Sequence, residues 1–333
     1  MKLRTIKNML LMKDKYSLIV SLGLMKAEAR LIFLYTSLEI GLFDLLTRPM
    51  SLDEIASALE INNIPLLSSL LDLGCSLKEL SNKKGYYRVK GSMAKAIAKG
   101  SYCADWIREM VRYHANVAQR LGSLLHDGGK EDFMAGLGGV VARSSLMMEP
   151  LIKTFIHLAV KKTKALNILE IGCGSGVYLK YYADINPDNH GIAIDVNEEA
   201  ANMAREFTVK NKIDKNFKVI HGNVLTSKSL ENGSFDLITS FSNIYYFPEE
   251  EKARLLSKVL GLLKSGGEFI MATGLKSESL ASSYLDLIFS ATTGLYPLPK
   301  LEELLSALYA AGFTKVRTVN LYDRSFKGFI ALN

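Results

Sequence analysis

The residues of this chain with the clearest chemical potential are an acid and three glycines at alternate positions. Glu170 ends an apolar run, and Gly172, Gly174 and Gly176 follow it, with Cys173 between the first two glycines. Glycine carries no side chain and tolerates unusual backbone dihedrals, so such a loop lets the backbone approach a ligand closely. An apolar strand, a glycine-rich loop and a following helix are typical of a nucleotide-type site on a doubly wound sheet.

The spacing of these glycines does not match the dinucleotide fingerprint, which requires G-x-G-x-x-G or G-x-G-x-x-A. Counted from Gly172 the last position is Val177, and counted from Gly174 it is Leu179. The loop therefore favours a nucleotide-type ligand other than a dinucleotide.

Two further apolar runs, residues 190–194 and 217–220, are followed by polar residues, and a third run covers residues 235–240. The carboxyl ends of parallel strands meet at one edge of a sheet, so these positions are expected to lie together. An acid at the tip of the second strand can accept hydrogen bonds from both hydroxyls of a ribose. The predicted binding positions are Asp195, Val196, Asn223, Val224, Ser240 and Phe241.

The order of these motifs over residues 165–333 resembles the class I S-adenosylmethionine-dependent methyltransferases. The resemblance implies a Rossmann-like, doubly wound α/β sheet of seven strands with the last strand antiparallel. A turn at residues 265–267 would precede the fifth strand, and residues 311–316 and 327–332 would form the closing pair. It implies S-adenosylmethionine as cofactor, with Glu170 organising the methionine amine and Asp195 holding the ribose. Asn223 and Val224 would border adenine, although the family usually has Asp where this chain has Asn223. Arg143 is a candidate partner for the methionine carboxylate. Residues 136–139, three of which are glycines, are expected to form a flexible join before it.

The N-terminal part of the chain predicts a mostly helical winged-helix domain. Helices are expected over residues 37–46, from a capping box at Ser51 and Glu54 to Leu59, and over residues 66–73. A hairpin is expected to follow, with strands at residues 77–80 and 86–89 and a polar turn through residues 82–85. Residues 62–76 contain no Lys or Arg, which disfavours reading of DNA by the third helix.

Three stretches of this region resemble the dimerisation domain of small-molecule O-methyltransferases. They are GLFDLL at 41–46, SLDEIASALEI at 51–61 and LLSSLLDLG at 66–74. The resemblance implies a homodimer and a small-molecule acceptor, without nucleic acid. The expected domains are residues 1–100 for the N-terminal arm and winged helix, 101–160 for a helical substrate-cavity region, and 161–333 for cofactor binding.

Composition limits the remaining classes of function. The three cysteines form no C-x-x-C pair and the five histidines have no metal-ligand spacing, so no metal is expected. The uncharged run 16–25 is about half the length of a membrane span, which predicts a cytoplasmic protein without integral membrane association. Residues 1–30 are basic and apolar, consistent with a dimerisation arm or, alternatively, with contact to anionic lipid or nucleic acid.

The catalytic position is where this chain departs from the family. The family commonly places a histidine base in a His-x-Trp context after the fourth strand, and here Tyr245 and Phe247 take those positions. A neutral tyrosine, with a reference pKa near 10, is a poor general base. Three explanations stay open: the acceptor is already ionised or an activated carbon, the base is another residue such as His114, or the protein does not methylate.

Methyl transfer to a small hydrophobic or aromatic acceptor, on oxygen or carbon, is the function expected from these features. Tyr245 and Tyr246 are expected to face the acceptor, and the largely apolar segment 278–293 is expected to wall its pocket, or simply to pack on the domain. The alternatives are a winged-helix regulator that senses S-adenosylmethionine and a divergent, non-methylating relative.

Overall fold

The computed structural model describes residues 14–160 and 164–333, and the chain divides into two compact units between Val111 and Arg112. The basic residues predicted for the beginning of the arm, from Lys2 to Lys13, lie outside the described residues. Among the described helices, none is long and apolar enough to cross a membrane.

The first unit is mostly helical. Its helices are α1 (Lys15–Glu39), α2 (Leu42–Leu45), α3 (Leu52–Ala58), α4 (Ile64–Ser76), α5 (Ser92–Ala98) and α6 (Cys103–Glu109). Its strands are β1 (Met50–Ser51), β2 (Leu80–Lys83) and β3 (Tyr86–Val89), which form a small sheet in the order β1-β3-β2. A π-helical turn, Met110–His114, follows α6.

Two of the sequence predictions for this unit need correction. The helix predicted over residues 37–46 is interrupted, because Gly41 takes a left-handed φ of 74° between α1 and α2. The hairpin strand expected at residues 77–80 instead runs from Leu80 to Lys83, and Lys84 and Gly85 alone make the turn, both with positive φ. A two-residue turn with this geometry matches the twist of a hairpin.

The capping box predicted at the start of α3 is present. The Ser51 backbone N–H donates to Glu54 Oε2 at 2.7 Å, and the Glu54 N–H donates to Ser51 Oγ at 3.3 Å. The pair satisfies two amides that the first turn of a helix leaves without partners.

The second unit is built on a seven-stranded sheet. Its strands are β4 (Asn167–Ile171), β5 (His190–Asp195), β6 (Phe217–His221), β7 (Phe235–Phe241), β8 (Leu263–Gly274), β9 (Lys315–Asn320) and β10 (Phe326–Leu332). Their order is β6-β5-β4-β7-β8-β10-β9, and β10 alone runs antiparallel to both of its neighbours. The chain order reverses at β4, which is the position where such sheets bind ligands. The predicted Rossmann-like fold is confirmed.

The helices of the second unit cover both faces of this sheet. They are α7 (Ala115–Asp127), α8 (Gly138–Ser144), α9 (Glu149–Ala159), α10 (Val177–Ile185), α11 (Glu198–Lys210), α12 (Glu249–Leu262), α13 (Leu280–Ala291) and α14 (Leu301–Ala310). Leu169 and Ile171 of β4 are buried on the face that α12 and α14 cover, and Ile168 on the face that α9 and α10 cover. This alternation follows from the two-residue period of a strand.

The last strands differ in detail from the sequence prediction. The turn expected at residues 265–267 lies within β8, where Gly266 has a φ of 72° and the register with β7 shifts between Phe235 and Leu237. The first strand of the closing pair begins at Lys315, because residues 301–310 continue as helix α14 and the turn at Gly312 follows.

Candidate active site

A cavity of about 350 Å³ lies at the carboxyl ends of the parallel strands in the second unit. Its walls come from the loops after β4, β5, β6 and β7, from α8 with the residues around it, and from the first turn of α12. The lining residues are Met134, Gly138, Val141, Ala142, Ser145, Ile171, Gly172, Gly174, Ile194, Asp195, Val196, Asn197, Ala200, Gly222, Asn223, Val224, Phe241, Ser242, Asn243, Tyr245, Tyr246, Phe247 and Glu251.

The three glycines after β4 have different surroundings. All have positive φ, of 69° at Gly172, 52° at Gly174 and 77° at Gly176. A Cβ on Gly172 would lie 2.3 Å from Asn243 Nδ2, whereas one on Gly174 would meet nothing closer than 4.0 Å. Gly176 does not line the cavity; a Cβ there would lie 3.0 Å from the Ala204 backbone, so this glycine lets α10 pack against α11. The first two glycines shape the cavity and the third shapes the helix packing.

Asp195 joins the loop after β4 to the loop after β5 by hydrogen bonds. Its Oδ2 accepts the Gly174 N–H at 2.8 Å and its Oδ1 accepts the Asn197 N–H at 2.9 Å. Burial raises the pKa of Asp195 above its ordinary value, and the two amides offset that only in part. Each carboxylate oxygen retains a second lone pair, so hydroxyl donors in the cavity can still bind.

Glu170 does not line the cavity, contrary to its predicted contact with a ligand amine. The side chain is 1% exposed and lies on the opposite face of β4 from Ile171, beside Tyr182 of α10 and Thr239 of β7. Burial, together with the charge of Asp195, raises the pKa of Glu170 to about 8. Its Oε2 has no hydrogen-bond partner among the described residues. Glu170 is therefore a buried acid behind the loop.

Cys173 and Ser240, both predicted to bind the cofactor, are not among the lining residues either. Both are 3% exposed, and neither lines the cavity. Cys173 packs with the buried cluster between the sheet and α10, where burial raises the pKa of its thiol. Ser240 is still within β7, one residue before the strand reaches the cavity at Phe241.

The loop after β6 brings both of its predicted residues to the cavity, but with a different hydrogen bond. Asn223 and Val224 line it. The side-chain carbonyl of Asn223, expected to accept from an adenine amine, accepts the Leu225 N–H at 2.8 Å instead. His221 lies outside the lining with its Nε2 3.1 Å from the Val196 carbonyl. The Asn223 carbonyl thus already accepts one hydrogen bond within its own turn.

Two residues after β7 line the cavity although sequence reasoning missed them. Ser242 has a φ of 52°, rare for a residue other than glycine, and donates its N–H to the Ala272 carbonyl at 2.7 Å. Asn243 Nδ2 donates to the Ile171 carbonyl at 3.3 Å and so joins this loop to the glycine loop. Strained backbone conformations of this kind are common at functional sites. The signal in the sequence was a pair of small polar residues directly after a buried strand.

An aromatic wall completes the cavity on the side of the predicted acceptor. Tyr245 and Tyr246 line it, with ring centroids 5.2 Å apart, and Tyr245 lies 4.6 Å from the Phe289 ring of α13. The Tyr245 carbonyl accepts the Tyr296 N–H at 2.9 Å, which holds the loop in place. No described residue of segment 278–293 lines the cavity; the segment packs on the lining residue Tyr245 through Phe289.

His114, the alternative base, is not among the lining residues. It is 2% exposed, and its Nδ1 lies 2.9 Å from the Tyr284 hydroxyl of α13. Its ring also packs edge-on against Tyr113. The lining contains no histidine, lysine or arginine among the described residues.

The segment around α8 forms a cavity wall that the sequence did not predict. The residues expected to make a flexible join instead pack closely: a Cβ on Gly138 would lie 2.4 Å from Asn197, and one on Gly139 2.0 Å from Glu199. The Gly139 N–H donates to Glu199 Oε2 at 3.0 Å. Arg143 faces Met203, with Nη1 3.7 Å from Sδ, and does not line the cavity.

The described residues contain no cluster of three His, Cys, Asp or Glu side chains with the geometry of a metal site.

Comparison with known proteins gives a family and a fold. Residues 168–267 match the family of methyltransferase domains. A bifunctional methyltransferase of Rickettsia prowazekii is 28% identical over 145 residues, which is 43% of this chain and 27% of the relative. The chain thus spans about a quarter of the length of this curated relative.

Two solved structures are similar over nearly the whole chain. Human N-acetylserotonin methyltransferase in complex with S-adenosylmethionine has a TM-score of 0.76 at 16% identity, over 97% of this chain and 98% of that one. An O-methyltransferase family protein of Burkholderia thailandensis has the same TM-score and identity, over 95% and 97%. Residues 168–267 therefore match a methyltransferase domain, and they lie in a chain whose fold is similar to that of these two methyltransferases.

Proposed function

We propose that this protein transfers the methyl group of S-adenosylmethionine to the oxygen or carbon of a small hydrophobic or aromatic acceptor. The observation that carries the proposal is one cavity, bordered at one side by Gly172, Gly174 and Asp195 and at another by Tyr245 and Tyr246.

The residues present fit the cofactor. Gly172 and Gly174 present backbone without a side chain to the cavity. A Cβ added at Gly174 would meet only the Ala142 Cβ, at 4.0 Å. Asp195 offers carboxylate lone pairs to the ribose hydroxyls, and Val196 and Val224 offer apolar surface to the adenine. Bound there, S-adenosylmethionine would supply an electrophilic methyl group on a sulfonium.

The contribution of the chain to the transfer is alignment and exclusion of water. A displacement at carbon needs the acceptor atom, the methyl group and the sulfur in line, and orientation alone can contribute several kcal/mol. Phe241, Met134 and the two tyrosines provide a mostly apolar surface for the acceptor. The Tyr245 and Tyr246 hydroxyls would orient it by hydrogen bonds.

The absence of a basic side chain from the described lining favours an acceptor that enters ionised or reacts at an activated carbon. Within the part of the chain that the structure describes, the titratable lining groups besides the two tyrosines are Asp195 and Glu251. Asp195 is bonded to the backbone on both oxygens, so it does not serve as a mobile base.

The protein is further proposed to act as a homodimer. Helix α1 exposes a series of apolar side chains that a monomer would leave in water. They are Ile19, Val20, Leu22, Leu24 and Met25, between 48% and 67% exposed. Covering such a series with a second copy of the helix would remove it from solvent.

Binding and turnover test the proposal separately. Isothermal titration with S-adenosylhomocysteine should show binding to the wild-type chain. Asp195→Ala should weaken that affinity by roughly 1.5–3 kcal/mol, the cost of a lost charged hydrogen bond. The exposed Asp188 before β5 provides the control, since Asp188→Ala should leave the affinity unchanged. Wild-type protein that does not bind S-adenosylhomocysteine would refute the cofactor assignment.

Turnover is measured as S-adenosylhomocysteine formed from S-adenosylmethionine across a panel of phenols, enols and aromatic heterocycles. Binding of the cofactor without turnover of any member would favour a non-methylating relative.

A further inference from the structure

The cavity contains one charged side chain for which the proposed reaction has no role. Glu251 lies in the first turn of α12 and lines the cavity. Its Oε1 is 3.9 Å from Arg254 Nη1, a distance that leaves the carboxylate available to a closer donor. An acceptor-only group in a cavity calls for a ligand that donates hydrogen bonds.

The position of Glu251 places it at the adenine end of the proposed cofactor site. Val224 belongs to the same buried cluster as Leu255 of α12, and Leu225 shares a small surface cleft with Ala253 and Arg254. The turn after β6 and the first turns of α12 are therefore neighbours. Phe247, two residues before α12, also lines the cavity.

The side-chain carbonyl of Asn223 in the turn after β6 is already engaged in a hydrogen bond. The Asn223 carbonyl accepts the Leu225 N–H at 2.8 Å and holds the turn closed. A carboxylate on the neighbouring element would be a stronger acceptor for an amine donor of adenine than this engaged carbonyl. Glu251 is the lining carboxylate on that element.

We propose that Glu251 determines the purine specificity of the cofactor site by accepting a hydrogen bond from the exocyclic amine of adenine. This inference depends on the proposed function, since it assigns a residue to one part of the same ligand. A 6-oxo purine would present an oxygen acceptor to the carboxylate, so the hydrogen bond would be lost and replaced by repulsion.

The test compares two probes by isothermal titration: S-adenosylhomocysteine and its 6-oxo analogue, S-inosylhomocysteine. Wild-type protein should bind the adenosyl probe at least about tenfold more tightly, the usual size of a charged hydrogen bond. Glu251→Gln should bring the two affinities to within about threefold, because a carboxamide can accept from the amine or donate to the 6-oxo group. Glu251→Ala should weaken the adenosyl probe and leave the 6-oxo probe nearly unchanged.

Glu250→Ala is the matched control, since Glu250 is exposed in the same helical turn and its loss changes the net charge equally. It should keep the wild-type ratio. The proposal is overturned if the wild type does not discriminate between the probes, or if both Glu251 variants keep the wild-type ratio. Failure of the wild type to bind either probe would instead refute the cofactor assignment, and the role of Glu251 with it.

Discussion

Gly172 and Gly174 have similar backbone dihedrals, yet their surroundings differ. Gly172→Ala would strain a left-handed residue and drive its Cβ to 2.3 Å from Asn243 Nδ2, whereas Gly174→Ala would add the strain alone. The strain costs about 1–2 kcal/mol. We expect Gly172→Ala to lower the free energy of unfolding by more than Gly174→Ala, measured in urea. Equal losses would show that Asn243 moves aside freely.

The buried acid Glu170 should make stability depend on pH. Its pKa is about 8 in the folded chain against an ordinary 4.5, so between these values the folded state binds more protons than the unfolded state. The free energy of unfolding therefore falls as pH rises through this window, by at most about 1.4 kcal/mol per pH unit. Glu170→Gln should remove this dependence, and the exposed Glu206→Gln should keep it. Urea unfolding at pH 5, 6.5 and 8 measures this dependence. If the free energy of unfolding changes with pH equally in the wild type and in Glu170→Gln, the raised pKa of Glu170 is contradicted.

Tyr245 is predicted at the position of the family's usual base, and we expect its task to be orientation of the acceptor. Tyr245→Phe keeps the ring packed on Phe289 and removes only the hydroxyl. We expect unchanged affinity for S-adenosylhomocysteine and a turnover reduced about tenfold, consistent with one lost hydrogen bond. If Tyr245→Phe methylates the acceptor identified in the panel as fast as the wild type does, the hydroxyl has no role in turnover.

At the residue scale, the sequence predicted which loops reach the cavity better than it predicted which way individual side chains point. Gly172, Gly174 and Asp195 line the cavity as expected, because the strand–loop–helix pattern determines where the chain turns. Glu170 does not, since one position along a strand reverses the face. The Asn223 carbonyl could not be assigned either, because a local turn competes with a ligand for the same lone pairs.

At the scale of elements, one backbone hydrogen bond, from the Gly139 N–H to Glu199, joins the start of the α8 wall to α11. Glu199→Ala would remove the acceptor of the Gly139 N–H, a loss of about 1 kcal/mol. Dissociation of S-adenosylhomocysteine should then be about fivefold faster in stopped flow, and proteolysis within residues 128–148 should be faster. Glu199→Gln retains an acceptor and should behave like the wild type.

Glu198→Ala is the control for that experiment, because Glu198 lies in the same first turn of α11. Equal rates in the Glu198 and Glu199 variants would assign the effect to helix charge. The glycines at 136–139 suggested only flexibility in the sequence. Their close packing depends on Asn197 and Glu199, which lie about 60 residues away along the chain.

At the scale of the whole molecule, the sheet order was predictable while the association of chains is still a proposal. The alternation of apolar strands and helices specifies a doubly wound sheet through general rules of connection. A dimer depends on how well the surfaces of two chains fit each other, and the sequence of one chain does not predict that fit. Val20 and Leu24 of α1 are 61% and 67% exposed.

The dimer is tested by changing that surface. The double variant Val20→Glu/Leu24→Glu should sediment as a monomer where the wild type sediments as a dimer. The control Val209→Glu, at a residue 62% exposed on α11, should keep the wild-type mass. A wild type that sediments as a monomer at micromolar concentration would contradict the proposal.

The walls of the cavity should differ in the free energy that local opening requires. The loops after β4, β5 and β7 extend from strands at the centre of the sheet, whose amides should exchange with solvent only on global unfolding. The α8 wall is joined to α11 by the Gly139–Glu199 hydrogen bond and close packing at its start, so its amides should exchange through a local opening of much smaller free energy. Ligands can then enter and leave while the sheet stays folded, and a substitution that stabilises the core need not slow their exchange.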